Sequence, residues 1–202
     1  MRALRLVWLV FALACQAAVA QVPQAAQQHR ADLTRVARAM WGLDAPISTF
    51  AGQLHQESGW RPGAVSYVGA QGMAQFMPET AAWIAQAYPA LADKQPFNAG
   101  WSLRALVTYD HHLWQRVKAA TPCERMAKAL SAYNGGLGWV YRDETATRRA
   151  GKDAQQWFGA VEMVNAGRTD ANWRENRAYP RRILRTLEPI YVRAGWGAGS
   201  CT

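Results

Sequence analysis

A mainly α-helical fold is predicted by three features of this 202-residue chain. Apolar residues recur at helical spacing, as in Ile47, Phe50, Ala51 and Leu54. Thr121-Pro122-Cys123-Glu124 reads as a capping box with proline at the first helical position. No stretch alternates apolar and polar residues long enough to read as a strong strand. The length suits one modest domain with a sizeable core, and no internal repeat or low-complexity tract interrupts it.

In chain order, residues 1–20 read as a secretory signal peptide. Arg2 and Arg5 make a basic start, Leu6 to Ala14 an apolar run, and Ala18-Val19-Ala20 a cleavage site. The run is short for a membrane span, so no stable span is expected after cleavage; a retained anchor helix is the alternative. Cys15 raises lipid anchoring as a further option, although Ala12 stands where a lipobox has leucine. Residues 21–31, rich in Gln and Ala, are expected to form a flexible lead-in. A first helix is placed over 32–41, before Gly42. Asp44 and Pro46 supply a cap and first turn for a second, which Ser58-Gly59 ends. Pro78 opens a helix towards Tyr88, residues 89–96 connect, and Asn98 caps a long helix reaching Ala119, with Leu106, Tyr109, Leu113 and Val117 inside. The capping-box helix stops at Asn134-Gly135-Gly136. Another helix is expected over 153–165 and a last one within 172–194, its bounds blurred by Pro180 and Pro189. The domain is thus 32–194, followed by a Gly-rich tail over 195–202.

The net charge is +9, which becomes +7 without Arg2 and Arg5. A basic exported protein suits a polyanionic envelope. Nucleic acid is not an expected partner: Arg174, Arg177, Arg181, Arg182 and Arg185 lie at helical spacing beside Ile183, Leu184 and Leu187, as on a solvated helix face. With Cys15 removed, Cys123 and Cys201 are an even pair in an oxidising compartment. A disulfide tying the tail to the domain is expected, with two free thiols as the alternative. Neither cysteine has a second ligand at zinc-finger spacing, and His111-His112 read as helix-face histidines, so no metal site is expected.

Chemistry concentrates between His55 and Thr80. Glu57 stands three residues past Leu54 and seven past Phe50, continuing the apolar face. Burial there disfavours the charged carboxylate and raises its pKa, the condition a general acid needs near neutral pH. A glutamate near a helix end is more commonly a solvated surface group. The following loop favours the first reading, since Gly63, Gly69 and Gly72 with Ala64, Ser66 and Ala70 let backbone approach a ligand. Gln71 and Gln75 add amides that donate and accept.

Glu57-Ser58-Gly59-Trp60, Pro62, Ala64-Val65-Ser66, Gly69-Ala70, Gly72-Met73-Ala74-Gln75 and Met77-Pro78 with Thr80 resemble the catalytic segment of soluble lytic transglycosylases. Ala132-Tyr133-Asn134-Gly135-Gly136 and Glu175-Asn176-Arg177-Ala178-Tyr179 continue the likeness in the family's order, over roughly residues 33–192. The resemblance implies a lysozyme-like helical domain that cleaves peptidoglycan glycan. It implies Glu57 as the catalytic acid, then base; Ser66, Gln75, Tyr133 and Asn134 as substrate-binding residues; and Tyr179 directed at the acid and the sugar. Pro180, just after Tyr179, departs from the family's usual apolar residue. Glycosidases usually need two carboxylates, and Glu79 and Asp93 match no second position. Family chemistry uses the substrate's own 2-acetamido group and C6 hydroxyl, giving 1,6-anhydromuramic ends without water, metal or cofactor. Trp60, Trp101 and Trp139 are candidate sugar platforms, while most of the tryptophans are expected in the core. With the signal peptide, a periplasmic enzyme acting on peptidoglycan glycan strands is expected. Wall remodelling, service to a secretion or conjugation machine, and phage-style lysis of the envelope are left open as its setting, with such a machine as an optional partner. A hydrolytic muramidase and a non-catalytic glycan-binding assembly protein are the rival readings.

Overall fold

A computed structural model describes residues 21–202; the expected signal peptide and Cys15 lie outside the described residues. Nine α-helices are formed among them: α1 (Gln24–Gln27), α2 (Arg30–Trp41), α3 (Ile47–Ser58), α4 (Pro78–Ala87), α5 (Ala99–Arg116), α6 (Pro122–Gly135), α7 (Leu137–Arg149), α8 (Asp170–Arg182) and α9 (Glu188–Arg193). Short 3₁₀ turns lie at Pro89–Leu91 and Val161–Met163, and a π-helical turn, Ile183–Leu187, joins α8 to α9. No described helix is long and apolar enough to cross a membrane. The segment expected as a flexible lead-in is structured instead: α1 buries Ala26, and α2 begins at Arg30.

Helix α3 is the hub. Ile47, Phe50, Ala51 and Leu54 are buried as their spacing predicts, and so are Ser48, Thr49, Gly52 and Gln53, because neighbours cover it nearly all round. A side chain at Gly52 would press on Leu187 and the backbone of Glu188, so glycine sets how closely the α8–α9 arm approaches. Asp44 does not cap α3. The tail does: Ser48 N donates to Ala198 O at 3.0 Å and Ser48 Oγ to Gly197 O at 2.6 Å. Thr49 Oγ1 donates to buried Glu188, which also accepts from Ser200 N and Cys201 N. The expected Cys123–Cys201 disulfide is present and fastens this tail to the start of α6.

Other starts follow the sequence closely. Asn98 accepts from Trp101 N at 2.9 Å, and Thr121 from Glu124 N at 3.2 Å. Only half of the capping box forms. The Glu124 carboxylate instead accepts from Trp157 N and Phe158 N, at 2.5 and 2.9 Å, and so folds the 150s back onto α6.

Between 136 and 165 the chain departs from the expected elements. Gly136, at φ 94°, interrupts the chain for one residue, and α7 starts at Leu137. The buried face of α7 is Val140, Asp143 and Thr147, mostly polar, so a search for apolar periodicity passes over it. The helix expected over 153–165 is absent; turns surround buried Trp157 there, with a single 3₁₀ turn.

Candidate active site

The acid is delivered by a helix end. Glu57 is the penultimate residue of α3, and Gly59 then takes the left-handed conformation, φ 60°, that turns the chain away. Ser58, buried beside it, draws the loop in: its Oγ donates to Met73 O at 2.8 Å and accepts from Arg61 N at 3.0 Å. Gln71 and Phe76 exchange backbone hydrogen bonds at 2.9 and 3.1 Å. At Gly72, φ 75°, a Cβ would lie 1.7 Å from Pro96 O, so only glycine fits. Gln75 holds a strained φ of 50° while its Nε2 donates to Gly72 O and Ala64 O, at 2.8 and 3.2 Å. Ser66 Oγ accepts from Ala70 N at 2.9 Å. Two of the expected substrate-binding side chains thus also organise the loop.

The facing wall comes from α6 and α8. Tyr133 OH donates to Ala74 O at 2.7 Å, and its ring lies nearly parallel to Tyr179, 6.5 Å away. Asn134 Oδ1 accepts from Asn176 Nδ2 at 2.9 Å. Asn176 Oδ1 in turn accepts from Ser131 Oγ, Arg168 and Arg177. Both arginines pair with fully buried Asp143, at 3.1 and 2.8 Å. Arg177 is therefore buried, not part of a solvated arginine face. Gly135 is required at this junction, because a Cβ there would come within 2.7 Å of Asn176 Nδ2.

Tyr179 OH donates to Glu57 Oε1. Burial pushes the Glu57 carboxyl up to about 8; the Tyr179 hydrogen bond pulls it partly back, and nearby Glu175 pushes it further up. Burial, and then the Glu57 charge, hold the Tyr133 and Tyr179 phenols well above their ordinary range, so both remain hydrogen-bond donors.

A cleft of about 330 Å³ opens above the acid. Glu57, Ser66, Gln75, Tyr133 and Asn134 all line it, and Tyr179 reaches it through Glu57. Glu175 also lines it. Its place one turn before Tyr179 on α8 was the signal available for it in the sequence. A second cavity, about 420 Å³, continues past Asn134 and Glu175 and is walled by Trp139 and Arg168. Trp139 is thus placed beside the cleft, but Trp60 and Trp101 are not platforms. Both are buried, their indole N–H groups donating to Tyr191 OH and Leu91 O. His112 is hydrogen-bonded to Tyr88 OH at 2.7 Å, and among the described residues no cluster of three or more His, Cys, Asp or Glu side chains is arranged for a metal.

Helical packing, a cleft between two walls and a raised acid at its floor define the class: a mainly α-helical domain with a single-acid candidate active-site cleft. Within that class the chain belongs to the transglycosylase SLT domain family, whose model matches residues 36–156. It is 31% identical over 125 residues to membrane-bound lytic murein transglycosylase F of Aeromonas salmonicida, covering 61% of this chain and 23% of that protein. The namesake from Actinobacillus pleuropneumoniae serotype 7 is 33% identical over 133 residues, covering 65% of this chain and 24% of the relative. The chain thus spans about a quarter of the length of these curated relatives. The 70 kDa soluble lytic transglycosylase SLT70 of Escherichia coli shares the fold, with a TM-score of 0.54 and 20% identity over 83% of this chain and 25% of that one.

Proposed function

We propose that this protein is a peptidoglycan lytic transglycosylase that cleaves the bond between N-acetylmuramic acid and N-acetylglucosamine and leaves 1,6-anhydromuramic ends. The observation that carries the reading is Glu57 itself, a carboxyl raised to about 8 and hydrogen-bonded to Tyr179 at the floor of the cleft. At neutral pH such a group holds the proton that the glycosidic oxygen needs. As the bond breaks, the 2-acetamido group of the substrate takes the role of a second carboxylate at C1. Glu57, now ionised and steadied by the Tyr179 hydroxyl, removes the proton from the muramoyl C6 hydroxyl, and the anhydro ring closes. Ser66, Gln75 and Asn134 bind the sugars from the two walls. Tyr133 holds the loop wall at the spacing that brings the C6 hydroxyl near attack. We place the enzyme in the periplasm, acting on glycan strands, and take local wall opening for an envelope machine as its setting.

Glu175 gives one observation in favour of a hydrolytic muramidase, since a second carboxylate lines the same cleft and could activate water. Mass spectrometry of soluble products from purified peptidoglycan separates the two. Anhydromuramic ends, lost by at least a hundredfold in Glu57→Gln, are the expected result. Reducing muramic ends would mean hydrolysis, and undiminished lysis by Glu57→Gln would remove the acid from the mechanism altogether.

A further inference from the structure

Behind the Glu57–Tyr179 pair lies a buried acid that the reaction above does not use. Asp110, on α5, is fully buried and faces Gln53, which stands one turn before Glu57 on α3. Gln53 Nε2 donates to Asp110 Oδ1 at 3.4 Å. The other two atoms of this pair, Gln53 Oε1 and Asp110 Oδ2, are buried and have no hydrogen-bond partner. An ionised Asp110 would leave two acceptors unpaired, together with a buried anion that has no ion-pair partner among the described residues. Each of these is costly. One proton on Oδ2 removes both defects, because an amide and a carboxylic acid can close a ring of one N–H···O and one O–H···O bond.

We propose that Asp110 is kept as the neutral acid, paired head to head with Gln53, and acts as a positioning residue that ties the Glu57 helix to α5 without placing a second charge behind Glu57. The groups turned towards it agree. Glu57 from α3, Tyr109 on its own helix, Tyr133 from α6 and Tyr179 from α8 are acidic groups, and none supplies a positive charge. Among the described residues no cation on the packed helices is ion-paired to Asp110. Lys128 is held by Glu144 and the carbonyls of Lys118 and Ala154, Arg125 by Trp114 O, Arg35 by Asp32 and Arg116 by His112 O. Arg38 on α2 is exposed, and Arg104 on α5 makes no salt bridge to it. Burial first, offset by the Gln53 bond and then reinforced by Glu57, holds the Asp110 carboxyl well above the usual range. Only Glu57 then changes charge during turnover. The functional consequence rests on Glu57 being the acid and base; the protonation state does not.

The direct test is infrared spectroscopy of the folded Glu57→Gln chain at neutral pH, in which the other raised carboxyl has been removed. A protonated-carboxyl stretching band should be present and should disappear when Asp110→Asn is added. No band, or one that survives Asp110→Asn, would overturn the proposal whatever Glu57 does. Asp110→Leu, which orphans the Gln53 amide, should lower the melting temperature. Asp110→Asn, able to pair with Gln53 as the neutral acid does, should restore it, and failure to restore it also counts against the proposal. In the catalytically intact chain, Gln53→Glu sets two carboxyls against each other, leaving one shared proton and one negative charge. The alkaline limb of the lysis profile should then move up by about one pH unit; an unmoved limb would refute the link to Glu57.

Discussion

The loop wall of the cleft, residues 59–77, is held by neutral hydrogen bonds between groups close in sequence, such as Gln71 with Phe76 and Gln75 with Gly72. The opposite wall, from Ser131 to Tyr179, is held by a buried ionic cluster in which Asp143 on α7 pairs with Arg168 and Arg177, and both arginines donate to Asn176. The first construction lets backbone come close to a ligand and keeps its geometry through turns. The second gives a rigid support for Asn134 and Tyr179, but only while every charge keeps its partner. In the proposed reaction, which has to align one acid with one hydroxyl, the cleft would gain from having one adaptable side and one fixed side.

Removing the anion at the centre of the fixed wall should therefore have the largest effect. Asp143→Asn leaves two buried guanidinium groups without their counter-ion, a loss of about 3–5 kcal/mol. For a domain of this size the melting temperature should fall by roughly 10 °C. Calorimetry checks it; a drop of only a degree or two would mean that the cluster is not the support described.

Gly72→Ala is the matching change in the loop wall. Its Cβ would overlap Pro96 O and force a left-handed backbone on alanine, so the loop must move. About 1–3 kcal/mol of stability is the expected cost. Lysis should fall by a larger factor than the stability loss alone gives at the assay temperature, because Ser66 and Gln75 move with the loop. Equal residual activity in Gly72→Ala and Asp143→Asn, once both are compared at matched folded fraction, would erase the distinction between the walls.

The two walls were not equally legible. Gly59, Pro78 and the helix ahead of Glu57 act through local conformational rules, so the loop and the carboxyl at its mouth were legible from residue types and spacing, whereas the catalytic part expected of Glu57 rested on the family resemblance. The capping residues Asn98 and Thr121 were legible for the same reason. What escaped was long-range. Asp143 and Arg177 look like surface charges until α7 and α8 are brought together, and α7 was missed because its buried stripe is polar. Glu124 satisfied the capping-box pattern, yet its carboxylate serves Trp157 and Phe158, more than thirty positions away. Tail capping of α3 displaced Asp44 for the same reason, as no local rule could place Gly197 and Ala198 there. Trp60 and Trp101 followed the general preference of large rings for the core, against their reading as platforms.

At the meeting point of the walls, Tyr179→Phe tests the electrostatics. The tyrosine donates to Glu57 and so favours its carboxylate; without it the pKa should rise beyond about 8 and the alkaline limb of lysis should move up. The same raised value has a stability consequence. Between the ordinary 4.5 and about 8 the folded chain holds a proton that the unfolded chain releases, so stability should decline as pH rises through this window. Denaturant titrations should show that slope in the wild type, a longer one in Tyr179→Phe, and none from this site in Glu57→Gln. A slope unchanged by Glu57→Gln would place the titrating group elsewhere.

The smallest expected effect on stability comes from Tyr133→Phe, which removes the one side-chain hydrogen bond from the fixed wall to the backbone of the adaptable one, Tyr133 OH to Ala74 O. The ring keeps its place against Phe76, Tyr109 and Tyr179, so only about 1 kcal/mol should be lost. Catalysis should suffer more than folding, because the spacing of the walls is no longer fixed while both remain intact. That outcome appears as a lower kcat on glycan strands with a nearly unchanged melting temperature. Should kcat be retained as well, the turns of the loop wall suffice to place it, and Tyr133 serves the cleft only as a packed ring.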